Sequence, residues 1–77
     1  MKYNIPNGTS FMEEADQWSE TSYTIMNNLV FMNFVDRKDP QVINDPGITV
    51  EEFLASPSVK EWSKKWMMEM IAKYSVE

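Results

Sequence analysis

Tyr23-Thr24-Ile25-Met26-Asn27-Asn28-Leu29-Val30-Phe31-Met32-Asn33-Phe34-Val35 is the stretch whose reading decides the fold. Only Thr24, Asn27, Asn28 and Asn33 interrupt its apolar residues, so it must form the centre of a core, offer a surface to another molecule, or do both. Two local structures compete for it. As strands, Tyr23 to Met26 and Leu29 to Val35 make a β-hairpin across Asn27-Asn28, because Val, Phe, Ile and Tyr favour strands. Strict apolar/polar alternation is missing, however, and a short apolar run is ambiguous by pattern alone.

The residues upstream tip the reading toward helix. Ser10 followed by Glu13 has the spacing of a capping box, and Glu13, Glu14 and Asp16 would then occupy the first turns, where the helix dipole favours acids. From that cap, Phe11, Ala15, Trp18, Ser22, Ile25, Leu29 and Met32 recur at spacings of four and three, the period of one helical face. The expectation is a long helix from Phe11 to Val35, with a kink or restart at the Ser/Thr cluster around Ser22. Beyond Ser22, Tyr23, Val30 and Phe34 fall to one side of the stripe and Phe31 and Val35 behind it, so this helix would be apolar all round. Its back face would lack cover within so short a chain.

Outward from this element the chain is punctuated by turns. Residues 1–9 combine Pro6 with Asn7-Gly8 and read as an extended arm and turn; Asn7-Gly8-Thr9 also has the N-glycosylation spacing, but the turn explains it. Asp36 to Pro40 ends the central element, and residues 36–48 form a connector. Within it, Asp39-Pro40 can open one helical turn through Val42 and Ile43, and Asp45-Pro46-Gly47 marks a turn. Asp36, Asp39, Asn44 and Asp45 lack the spacing of a calcium loop. Thr49 and Glu52 form a second capping box, and Ser56-Pro57 suits the start of a last helix. On that helix Val59, Trp62, Trp66, Met67, Met70 and Tyr74 share one side, and Lys60, Glu61, Lys64 and Lys65 the other. Met68 lies off the stripe.

These elements predict an all-α fold: a single small three-helix domain, 1–77, whose long N-terminal helix is packed by a short helix and a C-terminal amphipathic helix. The expected core is Trp18, Ile25, Leu29, Met32, Phe53, Leu54, Val59, Trp62, Trp66 and Met70.

Composition narrows function by exclusion. The 77 residues contain no cysteine, hence neither disulfides nor thiolate metal sites, and no histidine, the commonest general base and metal ligand. Adjacent carboxylates at Glu13-Glu14 and Glu51-Glu52 diverge on a helix and share no site. No serine has a base or a glycine-rich turn to activate it. We therefore assign no catalytic, cofactor-binding or metal-ligating residue and expect a non-enzymatic protein.

A net charge of −5 disfavours nucleic acid and anionic membranes and favours a basic partner. The Trp62-Ser63-Lys64-Lys65-Trp66 segment has the composition of a base-stacking platform, but a helical wheel turns both tryptophans inward. On the long helix, Glu13, Asp16 and Glu20 would form an acidic ridge with no basic residue between Lys2 and Arg37. The expectation is thus an interaction module, of the kind a phage-type accessory inhibitor represents. It would dock on a larger protein with a basic or apolar surface through Glu13, Asp16 and Glu20 and through the apolar Phe31, Phe34, Val35 and Met68. A homodimer seam on the same apolar surface is the alternative. Neither a signal-peptide pattern nor a long enough apolar run is present, so a cytoplasmic location without membrane association is expected.

Overall fold

Asn27 and Asn28 reverse the chain. Both have positive φ, 53° and 59°, the left-handed pair that a type I′ hairpin turn requires and that asparagine tolerates. The computed structural model describes residues 3–38, 42–44 and 46–76, with the backbone alone at 42–44. In it, β2 (Ser19–Met26) and β3 (Leu29–Asp36) run antiparallel from Met26↔Leu29 to Ser19↔Asp36. On the far side of β2 lies β1 (Thr9–Ala15). Along β3 lie β4 (Val42–Asn44) and the two-residue β5 (Ile48–Thr49). Two helices complete the chain, α1 (Val50–Ala55) and α2 (Glu61–Lys73). The protein is therefore an antiparallel meander, β1-β2-β3-β4 with β5 beside β3, carrying two short helices.

This overturns the all-α expectation, and the hairpin reading of residues 23–35 is the correct one. The supposed long helix from Phe11 to Val35 is β1, β2 and most of β3. Its Ser10-Glu13 capping box caps nothing, because both residues lie within β1. In β2 the period is two: Thr21, Tyr23 and Ile25 face the helices and Glu20, Ser22 and Thr24 face away. Ser, Thr, Tyr and Ile are also indifferent helix formers. β3 hides the period because it is apolar on both faces, which mimics a helix apolar all round. In the 36–48 connector, Val42 and Ile43 belong to β4 rather than a helical turn; Asp39, Pro40 and Asp45 lie outside the described residues.

The second half is closer to expectation. Thr49 Oγ1 accepts from Glu52 N at 3.1 Å while Glu52 Oε1 accepts from Thr49 N at 3.1 Å, a complete capping box. Ser56, expected to cap the last helix, instead ends α1, and α2 starts at Glu61.

Helices and sheet enclose one core. Phe11 stacks on Trp66 at 5.0 Å between centroids, and the Phe53 ring stands edge-on to Tyr23 at 4.9 Å and to Trp66 at 6.5 Å. Ile25, Phe53, Val59 and Trp66 are buried as expected, with Met32, Leu54 and Met70 at the core's edge. Trp18, Leu29 and Trp62 are not core residues: they are 57%, 36% and 50% exposed. Their places are taken by Ile5, Tyr23, Val30, Val50 and Met67.

Residues 3–8 strap one end of this layer. Asn28 Oδ1 accepts from Ile5 N at 3.1 Å, Asn7 Oδ1 accepts from Asn27 N at 2.7 Å, and Asn4 N donates to Tyr74 O at 3.0 Å. The hairpin turn and the end of α2 are thereby tied to the same arm. Among the described residues no helix is long and apolar enough to cross a membrane.

Candidate interaction surface

Because side chains alternate along a strand, the pairing register assigns every residue of β1–β3 to a face. Phe11, Tyr23, Ile25, Val30 and Met32 face the helices. The opposite face consists of cross-strand rows Ser10–Thr24–Phe31 and Met12–Ser22–Asn33, with Met26 opposite Leu29 and Glu20 opposite Val35. No helix covers these rows. Met12 is 50% and Met26 42% exposed, and Phe31, Asn33 and Val35 are half-buried. Phe31 is shielded from below by Gly47: a Cβ there would stand 2.7 Å from Phe31 Cζ, so only glycine lets the ring settle on the backbone.

Polarity on this face is internally matched. Asn33 Nδ2 donates to Thr24 Oγ1 at 3.3 Å. Glu20, the only charged side chain on this face among the described strand residues, is ion-paired with Arg37. A chain of net charge −5 thus presents an electrically neutral, largely apolar sheet face.

The helix side holds a different arrangement. A β-bulge at Met12/Glu14 puts Glu13 and Glu14 in succession toward α2. Glu13 Oε2 accepts from Ser63 Oγ at 2.7 Å, Tyr23 Oη at 3.1 Å and the Lys60 amide at 3.2 Å, and Glu13 O accepts from Trp62 Nε1 at 2.9 Å. Lys60, the N-cap of α2, makes no side-chain capping bond of its own, so Glu13 satisfies that helix end from the sheet. Burial first, then the charge and hydrogen bond of Glu13, push the Tyr23 phenol well above its ordinary range. These contacts fasten α2 to β1.

The structure separates the residues that the sequence reading grouped. Glu13 is enclosed against α2. Asp16 sits in the β1–β2 turn, where Oδ1 accepts the Trp18 and Ser19 amides at 2.7 and 2.8 Å; these bonds, Ser19's first, hold its carboxyl below the usual range. Glu20 is on the open face, paired with Arg37. There is no acidic ridge. Phe31 and Val35 do share the open face, whereas Phe34 points to the helix side outside the packed core. Met68 is 55% exposed on the outside of α2. Met12, Met26 and Leu29 join the open face without having been expected there; their signal was the hairpin pattern itself.

Two smaller features complete the surface. A cavity of about 100 Å³ opens between Tyr23, Met32, Ile48 and Val59. Trp62, which a helical wheel turns inward, is exposed in a shallow depression with Glu61, Lys64, Lys65 and Met68. No group of three or more acidic side chains suited to a metal ion occurs among the described residues.

No protein-family model, curated protein or solved structure matches the chain. The phage-type inhibitor expectation is withdrawn: it drew on composition, on surplus apolar surface and on an acidic ridge that does not exist, and no relative supports it.

Proposed function

We propose that this protein is a non-enzymatic interaction module whose working surface is the helix-free face of the β1–β3 sheet, and that its partner offers a neutral, apolar protein surface. The observation that carries this reading is the double-sided character of β3: Val30 and Met32 complete the core while Leu29, Phe31 and Val35 remain on a face that neither helix covers among the described residues. A sheet needs only one apolar face to fold, and an apolar patch beyond that need marks a contact surface in soluble proteins. The absence of a ridge removes the reason to expect a basic partner. A chain of 77 residues without cysteine suits the reducing cytoplasm, where we place its action.

Site-specific photo-crosslinking in the producing cells tests the reading. A benzophenone amino acid at Thr24, in the middle of the open face, is expected to give discrete adducts, whereas the same group at Lys65 on α2 gives none. Equal labelling from both positions, or none from Thr24, contradicts it.

A further inference from the structure

We infer that the partner on the open sheet face is a second copy of this chain, the two sheets packing face to face about a two-fold axis; this rests on the proposal that the open face is the working surface. Charge is the first argument. With −5 per chain, two copies repel through most pairings of their surfaces, but here the one carboxylate, Glu20, is neutralised by Arg37, so like charges do not meet. A face without net charge has nothing to steer a differently charged partner, and an isologous contact needs no such steering.

Relief is the second. The register sets Thr24 of β2 beside the large Phe31 of β3, Met26 beside Leu29 and Ser22 beside Asn33, so a dip at Ser22 and Thr24 adjoins a rise at Met26, Leu29 and Phe31. A two-fold rotation brings each rise to the other copy's dip, the interdigitation that aligned sheet packings require. The Thr24–Asn33 hydrogen bond already satisfies part of the polarity that such packing would bury.

Size sets the strength. Three strands of about eight residues, at ~4.8 Å spacing and ~3.4 Å rise, span roughly 14 by 27 Å. Two such faces bury on the order of 800 Å² before side-chain relief is added, below the ~1,000 Å² that a stable specific contact clears and in the range of weak, transient ones. The dimer is therefore weak and reversible.

Sedimentation equilibrium of the full chain from about 5 to 500 µM is expected to show a monomer–dimer equilibrium in that range, weakened about tenfold or more by Thr24→Arg. The methionine methyl NMR signals provide the check that needs no variant. Met12 and Met26 flank the open face and Met68 lies on the outer side of α2, so the first two shift with concentration while Met68 stays fixed. A monomer throughout, or a shift of Met68 without Met12 and Met26, overturns the inference. If the Thr24 crosslinker then yields adducts of a mass other than twice the chain, the interaction surface stands and only self-packing is lost; if it yields none, both fall.

Discussion

Glu13 illustrates how one residue can be read correctly as a type and wrongly as a role. Its sequence context places the carboxylate at a helix start, and it does satisfy a helix start, but that of α2, across 47 residues from Lys60. No local spacing encodes a contact made across a bulge between strand and helix, so this role was not legible in the sequence. Tyr23 shares the arrangement and gives it a pH signature. Its phenol donates to Glu13 and holds its proton above the ordinary range, while in the unfolded chain it loses that proton near pH ~10. Above that pH the unfolded state binds fewer protons, so stability is full below it and falls as pH rises. Tyr3, whose phenol is raised by burial and then by its hydrogen bond to and the charge of Glu51, adds in the same direction. Urea midpoints measured from pH 8 to 11 should fall above about pH 10, and Tyr23→Phe should flatten that slope; an unchanged slope would remove Tyr23 as the cause.

At the scale of the element, the two capping boxes are the instructive pair. Ser10-Glu13 and Thr49-Glu52 have the same spacing, and a glycine, Gly8 or Gly47, stands just before each. The residues that come after the two boxes are alike in helix propensity, Phe11-Met12-Glu13-Glu14-Ala15 against Val50-Glu51-Glu52-Phe53-Leu54-Ala55. The second run folds as α1, whereas the first lies in β1 and satisfies its backbone by pairing with β2. The motif was legible in both places, but strand pairing, not local propensity, distinguishes the strand from the helix. Thr49→Ala should therefore cost about 1 kcal/mol of unfolding free energy and Ser10→Ala within about 0.5 kcal/mol of none. Thermal or urea unfolding measures both, and equal losses would contradict the assignment of β1. The Asn27-Asn28 turn was the other legible signal, outweighed because β3 lacks alternation.

For the whole molecule, that missing alternation is the central feature. The helices cover one face of the sheet with Phe53, Trp66 and Met67, and the arm of residues 3–8 ties the turn end to α2. The other face keeps Met12, Met26, Leu29 and Phe31 without cover from either helix among the described residues. Surplus apolar surface at Phe31 and Val35 was legible in the sequence, and Phe34 is misplaced only because a helical wheel and a pleated strand sort neighbours differently. Leu29 and Val30 separate the two architectures most directly. On a helix, Leu29 lies in the core stripe with Val30 beside it; on β3, Val30 is 2% exposed and Leu29 36%. The decisive measurement is urea denaturation of Leu29→Ser and Val30→Ser in parallel. The account predicts that Val30→Ser costs about 2–4 kcal/mol and Leu29→Ser about 1 kcal/mol or less. A loss for Leu29→Ser equal to or greater than that for Val30→Ser would contradict it.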